Sequence, residues 1–284
     1  MKNKMTGWLL APVAALLLLA PPAHAQYVYY QPDGTGIPQG NNLQGYLDGQ
    51  GESLDAINDA SMVPETFFPA LQLTFTLIAE GAGFENVFGW YNVGDDVTLT
   101  ANRHPVMYSD YDHGSADTCD GTNAEPIPPT TQCNSRTLVL CQDSVRHPDW
   151  NGGPIGFFLV SPEGISGSHA RNDVAPDYGY IYYSEPRLNI LEQDQPDPYI
   201  HHLVYQSTID PTSFYFGFED LVRGGDNDFE DMLIKVEGLL VEAPAETCNN
   251  IDDDCDGETD ENVTQACSTV CGDGVRICNA GTFG

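Results

Sequence analysis

The feature that most constrains this chain is a two-residue hydrophobic alternation that recurs from about position 70 to position 242, with turn residues between the runs. In LQLTFTLIAE (71–80), Leu71, Leu73, Phe75 and Leu77 fall on one face of an extended strand, while Gln72, Thr74 and Thr76 fall on the other. NVFGWYN (86–92) and DVTLT (96–100) follow across Gly-containing turns. Strand signals resume at RTLVLC (136–141), IGFFLVS (155–161), YGYIYYS (178–184), YIHHLVYQS (199–207), SFYFGFED (213–220) and FEDMLIKVEGLLVE (229–242). The stretch 101–135 is rich in Pro, Asp, Cys and Gly and reads as a long loop. Roughly nine strands and no sustained helical period predict an all-β protein, an antiparallel β-sandwich with jelly-roll-like topology.

The flanks read differently. Lys2 and Lys4, an apolar run from Trp8 to Ala20 and the small residues of Ala23-His24-Ala25 form a secretory signal peptide over residues 1–25. The run is too short to span a bilayer, and no Cys follows the cleavage point to carry a lipid. Residues 26–50 show no sustained period and are expected as an extended leader. GESLDAINDASM (51–62) is expected as a short helix with Leu54 and Ile57 on one side, stopped by Pro64. The leader with its helix (26–62) thus precedes a sandwich domain over 63–242. After Ala243-Pro244-Ala245, residues 243–284 turn to Cys, Asp, Asn and Gly, a composition that needs disulfides or metal to hold a shape. The final Gly281-Thr282-Phe283-Gly284 looks like a cut inside a repeat.

Cysteine usage agrees with secretion, where disulfides persist. Of the 8 Cys, Cys119, Cys133 and Cys141 form one group and Cys248, Cys255, Cys267, Cys271 and Cys278 another. Both groups are odd, so either a bridge joins them or a partner is missing. Without Lys2 and Lys4, 8 basic residues of the original 10 face 42 acidic ones, and the formal charge moves from −32 to −34. Such a chain repels nucleic acid and anionic membranes. Its aromatic and β-branched runs argue against disorder, and folding crowds carboxylates that extracellular cations can neutralise.

The sharpest such crowd is FGFEDLVRGGDNDFEDMLIKV (216–236). Phe216 and Phe218 alternate inward, Glu219 and Asp220 end that strand, Gly224-Gly225 permits a turn at positive φ, and Asp226, Asp228 and Asp231 open the next strand with Glu230 among them. Carboxylates and carbonyls in one tight turn between apolar strands suit Ca²⁺, which takes about 6–8 oxygen ligands; a solvated hairpin turn is the plain alternative. The stretch is similar to the closing signature of the bacterial family called domain of unknown function 4114: Gly-aromatic-Glu-Asp, Gly-Gly, then Asp-x-Asp-aromatic-x-Asp and an apolar strand. GFENVFGWYNV (83–93) and GGPIGFFLVSP (152–162) resemble its earlier segments, so the resemblance spans about 70–241. It implies an extracellular, adhesin-like β-sandwich, with Glu219, Asp220, Asp226, Asp228 and Asp231 as its motif acids.

CNNIDDDCDGETDEN (248–262) supplies a second set. Asp252, Asp254, Asp256, Gly257 and Asp260 match positions 1, 3, 5, 6 and 9 of an EF-hand loop, but position 12 is Val263 and no flanking helices are predicted. Glu261 is the substitute for the missing ligand, and Cys248 and Cys255 would clamp the loop if they paired; an acidic disulfide-linked spacer is the alternative. The segment resembles the acidic Cys-rich, MopE-like metal-binding repeat of secreted myxobacterial proteins, a name linked to copper. Carboxylates favour a hard ion instead.

Weaker signals carry less. Asp110, Asp112, Gly114 and Asp117 space like a calcium loop within an ordinary polar segment. His201 and His202 point to opposite strand faces, one packed and one solvated. Trp90, Tyr91, Tyr178, Tyr180, Tyr182 and Tyr183 could stack on sugars or simply pack a sheet. No zinc-protease, α/β-hydrolase or thioredoxin motif is present. The sequence therefore leads us to expect a secreted, non-catalytic module binding calcium, presented on a surface or in a matrix toward glycan or protein partners. A carbohydrate-binding module or a hydrolase with structural calcium are the alternatives.

Overall fold

The structure, a computed structural model, describes residues 29–84, 86–108, 135–162, 179–189, 197–255, 257–269 and 272–284. The expected signal peptide, the segment 110–117, Tyr178, Asp256, Cys119, Cys133 and Cys271 lie outside the described residues.

In chain order the elements are β1 (Tyr29–Tyr30), β2 (Gly36–Ile37), α1 (Asn42–Gly49), β3 (Phe68–Ala79), β4 (Val87–Asn92), β5 (His104–Tyr108), β6 (Ser135–Val139), β7 (Cys141–Gln142), β8 (Val145–Arg146), β9 (Ile155–Ser161) and β10 (Tyr180–Tyr183), followed by β11 (His202–Gln206), β12 (Ser213–Phe218), β13 (Met232–Leu240), β14 (Thr264–Thr269), β15 (Gly272–Asn279) and β16 (Thr282–Phe283). The expected all-β class holds. A four-stranded antiparallel sheet, β10-β9-β4-β5, faces a five-stranded antiparallel sheet, β11-β12-β13-β3-β6, and the chain passes repeatedly from one to the other. Among the described residues, no helix is long and apolar enough to cross a membrane.

Alternation places the inward residues as the sequence predicts. Leu73 and Phe75 of β3 are fully buried in the inter-sheet core, with Leu71 and Leu77 packed against it. Phenylalanines dominate that layer: Phe88 lies 5.8 Å from Phe218 across the two sheets, and Phe157 lies 4.7 Å from Phe216. Edge-to-face and tilted pairs of this kind fill a sandwich without voids. Gly238, at φ +90°, allows a register shift where β13 meets β3, and a Cβ there would collide with the Gln72 carbonyl.

Three expectations need correction. DVTLT forms a turn and then a single 3₁₀ turn, Thr100–Asn102, in place of a strand, while the supposed loop contains β5 at the sheet edge. The helix lies at Asn42–Gly49, not at 51–62; there, Asp55 accepts the backbone N–H groups of Ile57 (2.9 Å) and Asn58 (2.8 Å), which turns the chain, and Ile57 is exposed. The segment before residue 62 is also not a loose extension. Ile37, Leu43, Leu47, Leu54 and Ala56 pack with Leu203, Tyr205, Tyr215, Phe229 and Leu233, so it covers the outer face of the five-stranded sheet as a third layer.

The tail is fastened to the sandwich. Cys141 pairs with Cys255, joining the two cysteine groups, and Cys248 pairs with Cys278, so Cys248 and Cys255 do not pair with each other. Arg146 donates two hydrogen bonds to the Cys255 carbonyl, at 3.1 and 2.7 Å.

Candidate metal centre

β12 delivers the first acids. Its residues are buried on both faces, so the chain leaving Phe218 carries Glu219 and Asp220 into the interior, where they are 0 % and 2 % exposed. The turn that follows is unusual in its backbone. Arg223, Gly224, Gly225, Asn227 and Phe229 all have positive φ, a region that costs non-glycine residues energy and persists only where surroundings enforce it. The result folds Asp226 and Asp228 back over the end of β12. Ligand oxygens of Glu219, Asp226 and Asp228 lie within 4.8 Å of one another. Two oxygens on opposite sides of one Ca²⁺ are separated by about 4.8 Å, so the spacing has the scale of a single coordination sphere.

Glu219 is the telling member. Its Oε1 accepts the Phe229 N–H at 2.7 Å, while its buried Oε2 has no hydrogen-bond partner among the described residues. Burial, and then the charges of Asp231, Asp228 and Asp226, push its pKa up to about 10, against the pull of the Phe229 amide. Asp228 is raised to about 6, first by burial, with Asp226 and Glu230 adding to the rise. Asp231 is raised to about 8 by burial and by Asp220. A carboxyl group set in the interior among other carboxyl groups holds its proton unless a cation replaces it.

Asp220 and Asp231 flank this trio. Asn86 donates to Asp220 Oδ2 at 2.8 Å, and the Asp220 N–H donates to Asp231 Oδ2 at 2.9 Å. Lys235 turns away: it pairs with Glu237 at 3.0 Å and sits over the Tyr215 ring. The spacing of the acids was legible in the sequence. The residues that hold them were not, because Gln31, Asn42 and Asn86 come from distant positions: Gln31 Nε2 reaches Asn227 Oδ1 at 2.6 Å, and Asn42 Nδ2 reaches Glu230 Oε1 at 2.8 Å.

The tail gathers a different set from the one expected. Asp252 and Asp254 come together with Glu246, which the loop pattern did not include. The Glu246 carboxylate accepts the N–H groups of Asp253 (2.5 Å), Asp254 (3.2 Å) and Asp260 (2.7 Å). Asp260 stands apart beside the Cys248–Cys278 disulfide. It accepts the N–H groups of Asn249, Asn250 and Gly281 at 2.7, 2.9 and 2.7 Å. Glu261 falls outside the trio, and Asp252 Oδ2 accepts the Gly257 N–H at 3.1 Å.

Both histidines of the 201–202 pair are buried, correcting the expectation that one is solvated. His201 stacks on Tyr182 with centroids 3.7 Å apart, and His202 lies 6.0 Å from Phe218. Burial, and secondarily His201, depress His202 to about 4. Trp90, Tyr91, Tyr182 and Tyr183 are also buried, which makes them sheet packing and removes them as an exposed stacking platform.

No curated protein and no solved structure matches this chain. Residues 151–239, less than a third of the chain, match the family model described as "Domain of unknown function (DUF4114)", and the matched span contains β9 to β13 in part or whole together with every acid of the turn that follows β12.

Proposed function

We propose that this protein is an extracellular, non-catalytic β-sandwich module that binds Ca²⁺ at the turn between β12 and β13. One observation carries the reading: a fully buried glutamate has an oxygen with no partner among the described residues and stands within one coordination sphere of Asp226 and Asp228. Glu219, Asp226 and Asp228 are the direct ligands, and Asp220 and Asp231 complete the negative surroundings. Oxygen donors alone favour a hard cation over copper or zinc. The tail trio of Glu246, Asp252 and Asp254 is a second cation loop in the same reading. The acidic exterior and disulfides suit a protein of a surface or matrix that meets glycan or protein partners outside the cell.

The role of the ion is linkage: a cation bound only by the folded state adds about 2.7 kcal/mol of stability at 100 times its Kd. Elemental analysis of the purified protein together with a calcium titration tests this. Bound calcium, and a Tm that falls by several degrees in EGTA and returns with Ca²⁺, are expected. Absence of binding, with an unchanged melt, refutes the reading.

A further inference from the structure

We propose that the N-terminal layer from β1 to α1 is a working part of this cation site, with Gln31 and Asn42 as positioning residues that hold the acidic turn in its binding shape. The inference deepens the calcium reading and rests on it.

Gln31 is 2 % exposed and uses both ends of its carboxamide. Its Oε1 accepts the Ile200 N–H at 2.9 Å; its Nε2 donates to the Ile200 carbonyl at 3.0 Å and to Asn227 Oδ1 at 2.6 Å. Asn227 is the residue between Asp226 and Asp228, and it is held at φ +63°. Its N–H donates to the Gly224 carbonyl at 2.7 Å, and its own carbonyl accepts the Gln39 N–H at 2.6 Å. The same junction is closely packed, since a Cβ on Gly224 would come within 2.6 Å of both Gln31 Nε2 and Asn227 Oδ1.

Asn42 grips the other side. It donates to Glu230 Oε1, and the Glu230 backbone N–H donates to Asp228 Oδ1 at 3.1 Å. Phe229 between them is buried against Ile37, Leu43 and Leu47. Asp226 and Asp228 are thus aimed at Glu219 by contacts from residues 31–42, which lie outside the span matched by the family model. A turn with this many positive φ values would relax once released, and a relaxed turn separates the carboxylates. Linkage is reciprocal, so an ion in the site must also stabilise the docked N-terminal layer.

The test uses the full mature chain and calcium titration calorimetry on Gln31→Ala, Asn42→Ala and Gln44→Ala. Gln44 bonds the Leu54 carbonyl (2.8 Å) and the Ala56 N–H (2.7 Å) within the N-terminal segment, so its loss removes local hydrogen bonds of α1 while every contact from the layer to the acidic turn stays in place. Asn42 is exposed, and its truncation leaves the core intact. Gln31→Ala and Asn42→Ala are expected to raise the calcium Kd roughly fivefold each, the scale of one hydrogen bond, and Gln44→Ala to leave it unchanged. In wild type, calcium is expected to slow protease cleavage within 29–50, and the slowing shrinks in the two turn-contacting variants. Wild-type Kd values in both variants, or an equal loss in Gln44→Ala, overturn the proposal. A wild-type protein that binds no calcium at all sinks the calcium reading beneath it and is seen in the same experiment.

Discussion

Calcium and protons should compete for the turn between β12 and β13, and the exchange can be worked from the three raised carboxyl groups. Glu219 sits at about 10, Asp231 at about 8 and Asp228 at about 6. Each folded-state value lies above the ordinary value of 4.5 or 3.8. At these three groups the metal-free folded state therefore binds more protons than the unfolded state between about pH 4 and pH 10, and their contribution to stability falls as pH rises through that window. At pH 7 Asp228 is mostly ionised and Glu219 keeps its proton, while burial and Asp220 make Asp231 hold its proton more tightly than a free carboxyl group does. Stripping Glu219 costs about 4 kcal/mol, taking about 1.36 kcal/mol per pH unit, and the raised Asp231 adds to that cost. Calcium must overcome that cost, so binding at pH 7 should release between one and two protons. Apparent affinity should strengthen by at least about tenfold per unit as pH rises from 7 toward 9, from Glu219 alone, with Asp231 steepening the rise at its lower end. Calorimetric titrations in two buffers of different ionisation enthalpy, at pH 7 and pH 9, count the protons. A Kd independent of pH with no proton release would refute the reasoning, because it would mean these carboxyl groups are already ionised and solvated before the ion arrives.

Three further outcomes are expected. Glu219→Gln keeps the shape of a group that is protonated at pH 8 in the metal-free chain; its metal-free Tm should stay within a few degrees of wild type while calcium affinity falls at least about tenfold, and retained affinity would exclude Glu219 as a ligand. His202 is depressed to about 4, so the stability it permits is complete above about pH 6.5 and is lost as pH falls toward 4, by up to about 3 kcal/mol; chemical denaturation of His202→Phe at pH 7 and pH 4.5 should show a smaller acid loss than wild type. Asp260→Asn removes the negative charge that gathers the amides of Asn249, Asn250 and Gly281 and should loosen the tail locally; hydrogen exchange should rise across 246–284 and stay unchanged in the sandwich, and an unchanged tail would refute the anchoring role.

How much of this was legible in the sequence depended on the range of the cause. β3, β9, β12 and β13 were readable because strand alternation is local and strong in apolar residues. β5 was hidden by His104 and Pro105, which an edge strand tolerates because its unpaired side needs no N–H donor. The helix was misplaced because Asp55 caps a turn inside a stretch with helical spacing, while the helix that forms shows only Leu43 and Leu47 as buried anchors. DVTLT has strand chemistry, yet Asp96 bonds back to the Thr98 N–H (3.0 Å) and hydroxyl (2.6 Å) and closes a turn.

The sequence alone determined the all-β class, the inward face of each principal strand and the spacing of acids along two turns, since each follows from chemistry between near neighbours in the chain. Only the tertiary structure decided which acids meet. Glu246 joined Asp252 and Asp254 while Asp260 turned to backbone amides, Glu219 was buried at the end of β12, and the turn beside it was gripped by residues some 190 positions earlier, through Gln31–Asn227 and Asn42–Glu230. The physical reason is that desolvation, which makes a carboxylate demand a cation, is set by what lies on top of it in space, and neighbours along the chain carry no record of that cover.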